Sequence, residues 1–251
     1  EVMEVICKTH ILNQHAQEYN AELTAEEKAA VSERAESFMS AYHAALLDFA
    51  GADEEFVTEQ LSATELSTKV EELAGKEYEP DIAEEDYQRE GICYVLISTT
   101  GLRDADGNLT PFSDEEVQKR TQMAKELSQK AKETGDLKSV AEEAGLRPIE
   151  SSMGRSNEGD GQEPLMLDAA RALAVGEVSD PIETEEGWFL VQHTNDYDES
   201  GTVYWKEYLT EQAQQSYAQE IYEQWRADAQ IVQNEEIMDS VIVKDVLKEL
   251  L

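Results

Sequence analysis

Three regions follow one another along the chain, because the spacing of its apolar residues changes twice. In 1–88 and again in 198–251, apolar residues recur every three or four positions, which is typical of helices with one buried face. In 89–197, short apolar runs of strand length alternate with helical stretches. The pattern predicts an α+β domain in the middle of the chain with a helical part on each side.

The first region carries sequence signals for the beginnings and ends of two helices. Thr24 to Glu27 is a capping box, and the apolar run that follows it is closed by Gly51. Asp53 is suited to cap a second helix, which Gly75 is expected to end. The apolar residues of these two predicted helices are Val31, Phe38, Tyr42, Leu46 and Phe49 in the first, and Phe56, Leu61, Leu66, Val70 and Leu73 in the second.

The middle region begins with a strand. Ile92 to Ile97 is a nearly continuous apolar run, which is typical of a strand at the centre of a sheet. A polar loop, 99–112, leads to a capping box at Ser113 and to a helix that ends before Gly135. A shorter helix and then a second strand, 147–153, are expected to follow.

The stretch from Met166 to Val191 is the most informative part of the chain. A short apolar helix leads to Gly176, where a left-handed turn is expected because glycine adopts positive φ without a Cβ penalty. Pro181 has no N–H for a strand ladder, so we expect it at the beginning of an edge strand. Glu185 to Gly187 is a turn signal between two runs of strand type, which predicts a hairpin.

The last region predicts one long amphipathic helix from about residue 203. Its apolar residues are Trp205, Leu209, Ala213, Tyr217, Ile221 and Trp225. A tail that ends in DVLKELL follows this helix.

The charge of the chain narrows the classes of partner. Its 251 residues include 56 acids and 20 bases, which gives a formal net charge of -36. Nucleic acids bind to cations that neutralise phosphates, so we expect no nucleic-acid partner, and anionic membrane surfaces are disfavoured for the same reason. No apolar run approaches the roughly 18 residues of a membrane span. Because a helical pattern begins at Glu1, we expect any export signal or membrane anchor to lie upstream.

The stretch from Met166 to Val191 resembles the C-terminal half of a parvulin domain. The residues that carry the resemblance are Ala170, Leu173, Gly176, Glu177, Val178, Ser179, Pro181, Ile182, Thr184, Gly187, Trp188, Leu190 and Val191. Parvulins are peptidyl-prolyl cis/trans isomerases, and the order strand, helix, helix, strand, helix, strand, strand matches their fold. Helices on both sides resemble the layout of PrsA-type foldases and, more distantly, of SurA.

This resemblance implies an α+β fold in which a parvulin-like four-stranded antiparallel sheet with helices is inserted into a discontinuous all-α chaperone domain. The corresponding boundaries are 1–88, 89–197 and 198–251. The resemblance also implies a location outside the cytoplasm, at the cell surface or in the envelope.

The resemblance places mostly apolar residues where active parvulins carry polar ones. Tyr94 stands at the position of the first-strand histidine, and Phe189 at that of the last-strand histidine. The family's Cys or Asp and its Gly-Gly-Asp-Leu-Gly signature have no counterpart. Tyr94 is therefore the candidate catalytic residue, as a hydrogen-bond donor. The implied substrate pocket consists of Tyr94, Leu96, Met153, Met166, Leu173 and Phe189.

Three functions are compatible with these residues. Rotation about an Xaa-Pro bond must overcome about 18–20 kcal/mol without a covalent intermediate, so a pocket that favours the twisted amide would suffice for an isomerase. A chaperone that holds unfolded exported polypeptides needs an apolar surface with forgiving packing, which methionine and aromatic residues provide. A scaffold that recruits a partner would also tolerate the loss of catalytic residues. The same side chains can equally be ordinary core residues.

Metal and thiol chemistry find little support in the sequence, and we predict no cofactor. Cys7 and Cys93 fit neither a disulfide scaffold nor a zinc site, so buried structural thiols are expected. The histidines show no metal-binding spacing, and of the four, His193 is the nearest to the implied pocket; the others are His10, His15 and His43.

A calcium loop is the remaining alternative for metal binding. Its positions 1, 3, 5, 7 and 12 would be Asp104, Asp106, Asn108, Thr110 and Glu115. Glycine stands at the fourth place of this loop, whereas calcium loops need it at the sixth. A plain Asp-Gly-Asn turn is therefore favoured.

Overall fold

The computed structural model describes residues 2–103, 108–155, 161–232 and 234. Contacts within the chain divide it into two units. We call Glu1–Pro80 together with Glu211–Leu251 the helical unit, and Asp81–Thr210 the mixed unit. In the part of the chain that is described, no helix combines the length and the apolar character of a membrane span.

The elements follow the order that the sequence patterns predict, with additions. The helices are α1 (Val2–Gln14), α2 (Ala25–Ala41), α3 (Ala44–Ala50), α4 (Glu54–Lys76), α5 (Glu84–Tyr87), α6 (Asp114–Thr134), α7 (Leu137–Glu143), α8 (Pro164–Arg171) and α9 (Glu199–Asp228). The strands are β1 (Glu90–Ser98), β2 (Gly101–Arg103), β3 (Leu109–Pro111), β4 (Ile149–Met153), β5 (Ile182–Thr184) and β6 (Gly187–Asn195).

The helical unit has a small apolar core around α1, α4 and the C-terminal part of α9. The ring of Trp225 stacks on that of His15 at a centroid distance of 3.9 Å, which joins the end of α9 to the end of α1. The fully packed residues of this core are Ile11, Leu12, Ala16, Ala21, Val70 and Tyr222.

The predicted helix up to Gly51 is interrupted. The capping box at its beginning is confirmed, since the Thr24 hydroxyl accepts from the Glu27 N–H and the Glu27 carboxylate accepts from the Thr24 N–H. The helix ends at Ala41, because Tyr42 and His43 are both in extended conformations. The His43 ring then caps α3 by accepting from the Ala45 N–H (3.3 Å), so the predicted single helix was wrong.

Gly75 has a packing role and does not end its helix. Helix α4 continues through Gly75 to Lys76. A Cβ atom at position 75 would lie 2.8 Å from the backbone oxygen of Gln214 on α9. Glycine is therefore required here by close helix–helix approach, whereas the sequence pattern suggested a stop.

The mixed unit is built on a four-stranded antiparallel sheet with strand order β4-β1-β6-β5. Strand β1 lies inside the sheet between β4 and β6, as its continuous apolar run predicts. Helices α6 and α7 pack against one face of the sheet and α8 against the other. The predicted α+β fold with a four-stranded antiparallel sheet is confirmed.

The segment 99–112 was predicted as a loop, but it contains a small hairpin. Strand β2 pairs with β3, and Gly101 lies opposite Pro111. A Cβ atom on Gly101 would lie 2.2 Å from the Thr110 backbone oxygen, so glycine permits this pairing. Two of the calcium-loop positions, Asp104 and Asp106, lie outside the described residues.

Candidate functional site

One face of the sheet carries most of the predicted site residues. In the β1–β6 ladder, Tyr94 lies opposite Val191 and Leu96 lies opposite Phe189. Residues opposite each other in an antiparallel pair point to the same side of the sheet. Because the register also pairs Glu90 with Met153, the Met153 side chain lies on that side as well. We call this side the α8 face.

Helix α8 covers the α8 face and supplies the remaining residues. Pro164 begins the helix, where its missing N–H costs nothing. Met166 is fully buried against the sheet, while Leu173, just after the helix, is half-buried. The structure thus brings all six predicted pocket residues into one apolar cluster: Tyr94, Leu96, Met153, Met166, Leu173 and Phe189.

Burial divides this cluster into two layers. Met153 and Met166 are each 0% exposed and Phe189 is 8% exposed, so these three side chains fill the interior. Tyr94, Leu96 and Leu173 are only partly buried. The surface that a ligand can touch is therefore formed by these three side chains and not by the methionines.

Tyr94 is the polar group among the six predicted residues. Its ring lies 6.1 Å from the ring of Phe189, with the two planes tilted by 50°. Burial raises the pKa of the Tyr94 hydroxyl above its usual value, which keeps the group neutral at physiological pH. A neutral phenol donates a hydrogen bond, and it cannot act as a general base.

The sequence patterns missed a polar pair at the edge of the α8 face. Gln162 donates from Nε2 to the hydroxyl of Ser151 at 2.6 Å. Ser151 lies opposite Ile92 in the β1–β4 ladder, which places it diagonally across from Tyr94. The Oε1 atom of Gln162 is buried and accepts no hydrogen bond within the described part of the chain. The strand register was needed to find this pair.

His193 lies on the same strand as Phe189 but has a different role. The Nδ1 atom lies 3.0 Å from the Leu173 carbonyl oxygen, and Nε2 lies 3.1 Å from that of Asn195 and 3.2 Å from a carboxylate oxygen of Glu90. The buried ring thus holds the turn after α8 against the end of β6. It lies four residues beyond Phe189, so it does not replace the histidine that the parvulin resemblance implies.

Cys93 lies on the opposite face of the sheet and is not a nucleophile at neutral pH. It is 2% exposed, and burial raises the pKa of its thiol from 9.0 to about 11. Cys7 is also unpaired but only half-buried, so the expected buried structural thiol is confirmed for Cys93 alone. Within the residues described, histidine, cysteine and acidic side chains form no group of three that could hold a metal ion.

A family-model comparison agrees with the parvulin resemblance. Residues 107–195 match the family model of the rotamase, or PPIC-type PPIase, domain. The foldase protein PrsA from Streptococcus pneumoniae is 20% identical, covers 93% of this chain and 86% of its own, and superposes with a TM-score of 0.45. No curated protein matches the chain.

Two further solved structures are similar at lower scores. PrsA from Bacillus cereus is 19% identical, with 98% of this chain and 86% of that chain covered and a TM-score of 0.37. One of the SurA-like chaperones PEB4 and Cj1289 from Campylobacter jejuni is 14% identical, with 90% and 84% covered and a TM-score of 0.31. The family-model match over residues 107–195 confirms the resemblance of this segment to a PPIC-type PPIase domain.

Proposed function

We propose that this chain is an extracytoplasmic protein-folding factor that binds unfolded exported polypeptides, with a parvulin-like domain used for binding more than for catalysis. The match of 107–195 to the PPIC-type PPIase domain supports a role in protein folding. The proposed organisation is a parvulin-like domain, 89–197, between two parts of a chaperone domain, 1–88 and 198–251. The location outside the cytoplasm is proposed from the resemblance to PrsA-type foldases.

One observation carries the preference for binding over catalysis. The two positions at which the resemblance implies histidines hold Tyr94 and Phe189, and Phe189 is almost fully buried. An isomerase must bind the twisted amide more tightly than the planar one. Fixed polar groups aimed at the amide provide that preference. The α8 face offers apolar contacts to planar and twisted forms alike.

A weak isomerase is the second candidate, and a specific pair of groups supports it. The Tyr94 hydroxyl can donate a hydrogen bond, and the Oε1 atom of Gln162, which is buried in this structure, can accept one if the side chain turns toward the ligand. Tyr94 would donate to the carbonyl oxygen of a peptide bond, and Gln162 would accept from a peptide N–H. Rotation needs no covalent step, so such a pair would give some acceleration if both groups contacted the same amide.

The proposed function is tested by suppression of aggregation. A chemically unfolded protein is diluted into buffer with or without an excess of this chain, and light scattering is followed over time. We expect scattering to fall in proportion to the amount of chain added, because bound segments are withdrawn from association. An unrelated acidic protein at the same concentration is the control. If the chain changes scattering no more than this control does, the protein is a scaffold and not a holding chaperone.

A further inference from the structure

Four aromatic side chains of the helical unit are exposed where α2, α3 and α4 follow one another. We call them the aromatic patch: Phe38, Tyr42, Phe49 and Phe56, which are 40%, 49%, 61% and 49% exposed. The sequence periodicity predicted all four as core-facing residues, so their exposure is a correction. Single exposed apolar residues are common on protein surfaces, whereas a group of large ones marks an interaction surface.

The geometry of the helices places Phe38, Tyr42 and Phe56 at one end of the α2–α4 pair. The rings of Phe38 and Tyr42 lie 4.8 Å apart. Two ion pairs set the alignment of antiparallel α2 and α4: Glu27–Lys69 at 2.8 Å and Arg34–Glu65 at 2.9 Å. Tyr42 directly follows the C-terminal end of α2, and Phe56 lies in the first turn of α4. Both therefore lie at the same end of this antiparallel pair of helices.

Phe49 lies on α3, between the other members of the patch in sequence. It lies one residue before the end of this short helix, and three residues separate α3 from α4. Its ring is the most exposed of the four. Leu47 of the same helix is buried, so α3 is anchored on one side and presents Phe49 on another.

The surroundings of the aromatic patch are acidic. Between residues 35 and 68 the sequence has no lysine or arginine, and its acids are Glu36, Asp48, Asp53, Glu54, Glu55, Glu59 and Glu65. The cations at the two ends of this segment are already engaged, since Arg34 pairs with Glu65 and Lys69 with Glu27. A ligand at the patch therefore meets aromatic rings surrounded by exposed carboxylates.

We infer that the aromatic patch binds unfolded segments that combine apolar and basic residues. Apolar side chains of such a segment bury ring surface, while its lysines and arginines pair with the carboxylates and lie over aromatic faces. Acidic segments would bring their carboxylates close to those around the patch, so we expect them to bind more weakly. A second copy of this chain would bring the same carboxylates face to face, which disfavours self-association through the patch. The inference rests on the proposed function and names its client class.

Binding of three fluorescent peptides to the full chain tests this inference. The peptides share the same apolar residues, and their polar positions are all Lys, all Ser or all Glu. Fluorescence anisotropy at low salt should give a Kd for the Lys peptide at least about tenfold below that for the Glu peptide. The difference should shrink at about 0.5 M salt, because screening shortens the range of the charges.

Variants locate the binding site. Phe38→Ser with Phe49→Ser should raise the Kd for the Lys peptide at least about tenfold, since central aromatic contacts dominate interface energies. Tyr204→Ser is the matched control, because Tyr204 is 66% exposed in the mixed unit, and it should leave the Kd unchanged. Glu55→Gln with Glu59→Gln should weaken the Lys peptide and not the Ser peptide. Circular dichroism confirms that each variant is folded.

The outcomes separate this inference from the proposed function. Equal affinity for all three peptides, or a double serine variant that binds like the parent, overturns the inference while aggregation suppression stands. If no peptide binds and the chain also does not suppress aggregation, both the inference and the proposed function are overturned. Preference for the Lys peptide that is lost in Phe38→Ser with Phe49→Ser supports the inference.

Discussion

The aromatic rings of Tyr94 on β1 and Phe189 on β6 lie 6.1 Å apart on the α8 face of the sheet. Phe189 also lies opposite Leu96 across the ladder, so the centre of this face is apolar on both strands. Below it, Met153 and Met166 are fully buried. A face built in this way resembles a packed core with a partly open aromatic surface, and its residues should behave accordingly in stability measurements.

Met166 should be a core residue with a large effect on stability. Met166→Ala removes a fully buried side chain and should lower the free energy of unfolding by about 2–5 kcal/mol. The neighbouring Leu165 on the same helix is 54% exposed, so Leu165→Ala should cost less than about 0.5 kcal/mol. Urea unfolding followed by circular dichroism measures both. A small loss for Met166→Ala with weakened peptide binding would instead make Met166 part of an open pocket.

Gly75 should tolerate no side chain. Gly75→Ala places a Cβ atom 2.8 Å from the backbone oxygen of Gln214, so α4 and α9 must move apart. We expect a loss of about 1–3 kcal/mol despite the better helix propensity of alanine. Gln60→Ala, at an exposed position of the same helix, should be neutral or slightly stabilising. Thermal unfolding compares the two, and a stabilised Gly75→Ala protein would contradict the close approach.

His193 should stabilise the turn after α8. His193→Phe keeps an aromatic ring but removes both nitrogens, so the one of the Leu173 and Asn195 carbonyl oxygens that accepts from the ring N–H loses its donor. A buried group that loses its partner costs about 1–3 kcal/mol. The same substitution at exposed His10 is the control and should have little effect. Hydrogen exchange of the Gly176 and His193 amides should also accelerate in His193→Phe; unchanged exchange would argue against this role.

The two thiols should differ in reactivity. Cys7 is half-buried and should react with iodoacetamide in the folded protein at pH 8, whereas Cys93 should react only after unfolding. In the Cys7→Ser protein, mass spectrometry reports the alkylation of Cys93 alone. Rapid alkylation of Cys93 in the folded protein would show that its strand opens readily.

The raised pKa of Cys93 also has a consequence for stability. The folded protein holds this proton up to about pH 11, while the unfolded chain releases it near pH 9.0. The unfolded state is therefore favoured progressively as pH rises from about 9 to 11. The fall in urea midpoint over this range should be smaller in Cys93→Ala than in the parent protein. An equal fall in both would contradict the burial of the thiol.

Local signals in the sequence were sufficient to predict most elements of the fold. The capping residues Thr24, Asp53 and Ser113 begin the predicted helices, and Gly135 ends α6 in a left-handed conformation. The continuous apolar run of β1 predicted its central place in the sheet. These signals are local, because caps and apolar runs act on their own segment.

The features that the sequence did not reveal depend on contacts between distant residues. Glycine is needed at position 75 because the backbone of Gln214 lies close to it. The position of Gln162 depends on its hydrogen bond to the Ser151 hydroxyl on β4. The break at His43 depends on a side chain that is an uncommon helix cap. Periodicity placed Phe49 on the core side of a continuous helix, and the break turned it outward. The roles of the six pocket residues stay predictions.

We propose that the α8 face binds peptide segments without efficient isomerisation. NMR exchange spectroscopy on a panel of short Xaa-Pro peptides tests it, because one set of spectra reports both binding and cis/trans exchange. We predict that the added chain shifts or broadens peptide signals while the exchange rate stays at its uncatalysed value. Exchange that accelerates with the parent protein and loses this acceleration in Tyr94→Phe would contradict the claim and show a working isomerase.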